Sequence, residues 1–193
     1  MSEGTPIRVP RALLLLAEGV EEMEVTITAD ILRRGGVDVV LAALGELAPV
    51  RCSRGVHIVP DARLVEVDGE FDVLILAGGA EGVRRLCASK LVGHMLRARE
   101  EAGALVAAIC AAPLALRHHE AFMGRTMTCH PSVETRVMEH GRRGEGPVVI
   151  DGNLITSRGP GTSFDFALAL LQRLRGEGIA RQVEKPLMLP YRR

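Results

Sequence analysis

The chain has no tryptophan, one tyrosine and four phenylalanines in 193 residues. Proteins that bind nucleic acid by stacking bases need aromatic platforms, so that class of partner is not indicated. Neither sign of charge dominates. Lys+Arg and Asp+Glu both number 24, which implies no broad basic face for a phosphate backbone and leaves only local patches open. No apolar run is long enough to cross a bilayer. Residues 1–10 lack the apolar stretch of a secretory signal. Cys52, Cys87, Cys110 and Cys129 stand far apart without a CxxC pair. They are expected as reduced thiols in a cytoplasmic protein, not as a disulfide framework. Internal repeats and low-complexity linkers are also missing.

What is present alternates between apolar runs and helical patterns. Ala12–Leu16 is a continuous apolar run, as expected for a strand covered on both faces. Gly19 turns the chain, and Glu21 and Glu22 supply the first-turn acids of a helix to about Arg34. Met23, Ile27 and Ile31 recur at four-residue spacing and predict its buried stripe. On periodicity alone Glu24, one residue beyond Met23, is a solvated helix acid. Gly35-Gly36 end the helix, and Val37–Ala43 predicts a second strand. Further strands are expected at Val56–Val59, Phe71–Leu76 and within Thr126–Pro131. Ser89 caps a helix to Ala102, with Leu91, Met95 and Ala98 facing inward. Asp151-Gly152-Asn153 between two apolar runs predicts a hairpin, and Ser163–Leu174 a helix. His118 and His119 suit a helix C-terminus as imidazolium. Cys129-His130 lacks the second ligand pair that a metal site needs.

The order of elements predicts one flavodoxin-like, doubly wound α/β sandwich over residues 11–189, with a mainly parallel sheet and a small β-hairpin. Residues 1–10 form an N-terminal extension and 190–193 a short tail. The organising stretch is Leu105–Leu116: a buried strand to Ile109, then a helix from about Ala112 with Pro113 in its first turn. Cys110 falls on the corner, at the sheet edge where such folds place ligands. A helix N-terminus favours a thiolate there. The alternative is an inert cysteine buried among alanines. Gly78-Gly79, after the Phe71–Leu76 strand, either approach a ligand closely or make an ordinary turn.

Several motifs together resemble one family. They are Ala17-Glu18-Gly19-Val20-Glu21-Glu22-Met23-Glu24, Cys52-Ser53-Arg54, Gly78-Gly79, Ala107–Pro113 and Thr156–Ser163. The sequence is similar, over almost its whole length, to the Parkinsonism-associated deglycase (DJ-one) branch of the PfpI superfamily. The resemblance implies that Cys110 is the reactive cysteine, that Glu24 is its protonated partner and that His130 lies nearby. It implies a homodimer using the first helix, with Met23 at the interface and Arg34 and Arg54 as an anion-attracting patch at its edge. Gly78, Gly79 and Ala111 are the backbone candidates for holding an oxyanion. The implied activity needs no cofactor and no metal. It acts on small aldehydes such as methylglyoxal and glyoxal, and on glycated thiol or amine adducts. The rival reading is a redox sensor with chaperone-like binding, switched by oxidation of Cys110 to sulfinate.

The sequence departs from the family pattern at three places. Ala77 stands where proline usually precedes the paired glycines, Val59 where relatives carry an interface cysteine, and both ends are extended. Ala111 follows Cys110, whereas protease-like members have histidine there. Neither His130 nor His140 heads the late His-x-Glu pair of amidotransferases. Protease and amidotransferase activity are therefore minor alternatives.

Overall fold

The computed structural model describes residues 8–190. Residues 1–7 and 191–193, most of the expected extension and tail, lie outside the described residues. In chain order the elements begin with β1 (Arg11–Leu16), α1 (Glu22–Arg34), β2 (Asp38–Ala43), β3 (Val50–Arg51), β4 (His57–Ile58) and β5 (Ala62–Arg63). Then come β6 (Val73–Leu76), α2 (Ala80–Ala88), α3 (Lys90–Glu101), β7 (Leu105–Ile109), α4 (Pro113–His118) and β8 (Thr126–Met127). The last third holds α5 (Glu134–Met138), β9 (Arg142–Arg143), β10 (Val148–Asp151), β11 (Leu154–Ser157), α6 (Ser163–Arg175) and α7 (Glu177–Glu184).

Seven strands make the central sheet in the order β10-β11-β7-β6-β1-β2-β5, all parallel except the β10–β11 pair. The apolar runs behave as their composition requires. Leu13 to Leu16 are all but inaccessible, because helices cover both faces of the sheet. Leu14 and Leu16 pack with α1, α6 and α7, while Leu13 and Leu15 pack with α2, α3 and α4. Several predicted strands are shorter than expected, since pairing stops where the chain leaves the sheet. The hairpin at Gly152 extends the central sheet rather than standing apart. The separate small antiparallel pair is β3–β4.

Two helices sit out of phase with their predicted stripes. In α1 the buried residues are Glu22, Glu24, Val25, Thr28, Ala29, Ile31 and Leu32, whereas Met23 is half exposed at 50%. The period is helical as predicted, but the face is turned by about one residue. That turn hides the Glu24 carboxyl and points Met23 outward. In α3, Val92 and Leu96 are buried, while Leu91 and Ala98 are exposed and Met95 is half-buried. The Ser89 cap is present, accepting from the Val92 N–H at 3.3 Å. His119 does cap the C-terminus of α4, but its surroundings do not favour the expected imidazolium. Burial lowers its pKa, and Nε2 lies 3.0 Å from the Leu86 carbonyl.

Helix α2, unannounced by any strong pattern, joins the Gly78-Gly79 turn to the core through Val83 and Leu86. It packs so closely on the turn after β1 that a Cβ at Gly82 would lie 2.9 Å from Val20 Cα. Because that neighbour is backbone, Gly82→Ala is expected to lower stability by about 1–3 kcal/mol. A reduced urea midpoint with an unchanged slope would register the loss. An unchanged midpoint contradicts the close packing.

Candidate active site

Cys110 stands at the corner between β7 and α4 with φ 64, a left-handed conformation that costs a non-glycine residue about 1 kcal/mol or more. Hydrogen bonds from two other segments hold it there. Its N–H donates to the Ser157 carbonyl at 2.9 Å, and its carbonyl accepts from the His130 N–H at 2.8 Å. The side chain is thereby aimed off the carboxyl end of the sheet, where the Gly79 and Ala111 N–H groups reach the sulfur. Both are residues that the sequence analysis named. Gly78, predicted beside them, is not free for an oxyanion. Its N–H donates to Glu24 Oε2 at 2.6 Å.

The two glycines serve different ends. A Cβ at Gly78 would lie 2.6 Å from Cys110 Cβ and 2.9 Å from Glu24 Oε2, so only glycine lets the carboxyl and the thiol meet. Gly79 has φ 90, and a Cβ there would sit 2.2 Å from the Gly19 carbonyl oxygen. That position needs glycine both for its backbone conformation and for space.

Glu24 is wholly buried. Burial, with Glu21 nearby, raises its pKa to about 7 against the pull of the Gly78 N–H and the Cys110 side chain. Its Oε1 is buried with no well-aligned hydrogen-bond partner among the described residues. A buried oxygen without a donor favours the protonated carboxyl over the carboxylate. The thiol tells the same story. Burial and an ionised Glu24 beside it push Cys110 up to about 12, against the Ala111 and Gly79 N–H groups. Protonating Glu24 removes its charge and turns an acceptor into a donor, so the thiol falls as the carboxyl rises. Thiol acidity at Cys110 therefore belongs to the pair, not to the cysteine. Burial, with carboxylates nearby, pushes Cys52 and Cys129 to about 11. All four thiols are free.

The remaining predicted residues divide. His130 lines the same cleft as Cys110. Its Nδ1 accepts from the Ser132 N–H at 3.2 Å and lies 2.7 Å from Ser132 Oγ. That tautomer leaves Nε2 as the nitrogen for a ligand. Arg54 also lines the cleft, and its N–H donates to Glu22 Oε1 at 2.9 Å. Arg34 does not line it. At the far end of α1 it pairs with Asp30 at 2.6 Å, so the two arginines expected as a patch at the dimer edge are not brought together in this cleft. Met23 is on the surface, away from the thiol.

Sequence reasoning missed Ser157 and Ser132, which act through hydrogen bonds that periodicity cannot register. It also missed Arg84, Arg117 and Arg136, which come from three separate helices. The cleft encloses about 690 Å³. Among the described residues no group of three or more His, Cys, Asp or Glu is placed to hold a metal ion. No described helix is long and apolar enough to cross a membrane.

The chain is similar to known proteins of one family. The model of the DJ-1/PfpI family matches residues 10–173. The chain is 47% identical to Protein DJ-1alpha of Drosophila melanogaster, over 94% of this chain and 85% of that protein. It is 38% identical to a Caenorhabditis elegans protein named glutathione-independent glyoxalase DJR-1.2, covering 92% of this chain and 95% of that one. The crystal structure of Drosophila melanogaster DJ-1beta superposes with a TM-score of 0.93 at 44% identity, covering 95% of this chain and 100% of that one.

The raised Glu24 pKa has a signed consequence for stability. Between its ordinary value of 4.5 and about 7, the folded chain binds more protons than the unfolded one. Stability attributable to Glu24 is therefore greatest below pH 4.5 and declines as pH rises through about 7, by roughly 3 kcal/mol at most. Glu24→Gln removes this term. Urea midpoints of both proteins across pH 4–8 are expected to shift in the variant's favour as pH rises. Parallel profiles would mean that Glu24 titrates normally.

Proposed function

The chain belongs to the DJ-1/PfpI family, and from that premise we propose that it is a cofactor-independent cysteine enzyme. Its substrates are α-oxoaldehydes such as methylglyoxal and glyoxal, together with early glycation adducts. One observation carries the reading: a buried carboxyl with an unpartnered oxygen beside a cysteine whose sulfur already receives two backbone N–H groups. The name of the nematode relative, a glutathione-independent glyoxalase, supports the aldehyde as substrate.

The chemistry follows from one shared proton. With that proton on Glu24, the Cys110 thiolate adds to the aldehyde carbon, forming a C–S bond. The new oxyanion sits by the Gly79 and Ala111 N–H groups and takes the proton to become a hemithioacetal. Glu24, now a carboxylate and assisted by His130, removes the hydrogen from that carbon, giving an enediol. The same proton returns to the neighbouring carbon. The first carbon is thereby oxidised to a thioester and the second reduced to an alcohol, so no outside oxidant or reductant is needed. Water then cleaves the thioester, releasing a hydroxy acid and regenerating the starting pair. The same steps on adducts of cysteine, lysine or arginine constitute deglycation.

A second reading is favoured by the donors around the sulfur. Peroxide would oxidise the same thiolate to sulfinate, and Gly79, Ala111 and protonated Glu24 would hold its oxygens. Conversion of methylglyoxal to lactate by EDTA-treated protein separates the readings. Cys110→Ser is expected to abolish turnover. Glu24→Gln, which donates a hydrogen bond but cannot exchange a proton, is expected to reduce it about 10²–10⁴-fold. Wild-type turnover in Glu24→Gln, or none in the wild type, would leave the sensor as the better reading.

We also propose a homodimer using α1. It is supported by Met23, a large apolar side chain half exposed on a helix that is otherwise well packed. Sedimentation equilibrium at micromolar concentration is expected to give a mass of two chains, reduced towards one by Met23→Glu. A monomer throughout would end this proposal.

A further inference from the structure

The cleft beside Cys110 is larger than a three-carbon aldehyde needs. At about 690 Å³ it falls in the range of sites that enclose ligands many times that size. It is also unlike the chain as a whole in charge. Arg54, Arg84, Arg117 and Arg136 line it, against Glu21 as the one Asp or Glu lining it among the described residues. Two of these arginines are neutralised in place. Arg84 makes paired 2.7 Å bonds to Glu81, and Arg117 is paired with Glu139.

Arg136, on α5, is different. It is exposed and has no hydrogen-bond or ion-pair partner among the described residues. The acids nearest to it in sequence are engaged elsewhere, Glu134 with Arg143 at 3.1 Å and Glu139 with Arg117. Its charge bears on the Cys87 thiol, which lines the same cleft. Arg136 thus presents a free guanidinium fork to the space that Cys110 also faces. Leu114 and Val133 contribute apolar wall to that space. A planar fork of N–H donors binds carboxylate or phosphate oxygens bidentately.

We propose that Arg136 marks a subsite for an anionic oxygen group, so that the preferred substrates are α-oxoaldehydes with a carboxylate or phosphate at the end remote from the aldehyde. This rests on the aldehyde reading of Cys110. The apolar wall accommodates the carbons between the two ends, and the surplus positive charge draws anions into the cleft.

Two measurements on the intact protein test it. The first compares kcat/KM for 4,5-dioxovalerate, an α-oxoaldehyde with a carboxylate tail, with that for methylglyoxal. The ratio is expected to be about 10 or more at low salt and to fall as salt rises. Arg136→Glu should drive it below one, and Arg136→Lys should keep part of it. A ratio unmoved by Arg136→Glu overturns the proposal. The second measurement needs no turnover. Calorimetric titration with levulinate, which lacks the aldehyde, and with inorganic phosphate is expected to show binding that Arg136→Glu abolishes. The stronger of the two anions identifies the tail. Equal binding to both proteins, or none to the wild type, overturns the subsite. If the wild type turns over neither aldehyde but binds an anion through Arg136, the enzymatic reading fails and the subsite stands.

Discussion

The buried contact between the Glu24 carboxyl and the Cys110 thiol is the constraint on which the rest of the site depends. A carboxyl with no exposed surface is costly to ionise, and a thiol in contact with a carboxylate is as costly to deprotonate. Charging both acids at once is therefore unfavourable. The protein brings the two groups together by three means. Helix α1 is turned so that Glu24 faces inward, Gly78 has no Cβ to separate carboxyl from sulfur, and the Gly78 N–H holds one carboxyl oxygen at 2.6 Å. The other oxygen is buried with no hydrogen-bond partner among the described residues.

The scaffold then fixes the sulfur. The left-handed backbone at Cys110 is unfavourable in isolation and persists because β11 and the loop before α5 clamp both of its peptide groups. Strain at one residue is thus maintained by hydrogen bonds from segments about 20 and 47 positions away. The reward is preorganisation. The Gly79 and Ala111 N–H groups already point at the sulfur and need no reorientation as charge develops on a bound ligand. The surrounding charge shares this economy. A chain with 24 groups of each sign gathers four arginines around one cleft. It neutralises two of them locally and leaves Arg136 open.

Some of this was visible in the residues alone. The run Ala12–Leu16 could be nothing but a covered strand, and Pro113 after Cys110 announced the corner. The small residues of Ala107–Ala112 likewise matched a tightly packed strand end. Other features misled. Met23, Ile27 and Ile31 have helical spacing, but so do Val25, Ala29 and Leu32 one face round. Ile31 is buried as expected, but hydrophobicity counts a carboxylate as surface and so put Met23 inward in place of Glu24. Helix α2 was hidden because its apolar residues, Val83 and Leu86, are few and its packing rests on Gly82, which contributes no side chain. Of the two arginines expected at the dimer edge, Arg54 lines the cleft while Arg34 pairs with Asp30 within its own helix.

By itself, then, the sequence determined the α/β layering, the cysteine at the strand–helix corner and the two glycines beside it. These depend on local chemistry: apolar period, proline at a helix start, and glycine where backbone must turn or approach. The tertiary structure alone decided that Glu24 is buried and that Gly78 serves the carboxyl rather than a ligand. It also decided that Ser157 and His130 clamp Cys110 and that Arg136 faces the same cleft. Each of these is a relation between segments far apart in the chain. Burial and hydrogen bonding set the charge state of a side chain, and only the packed fold says what surrounds it.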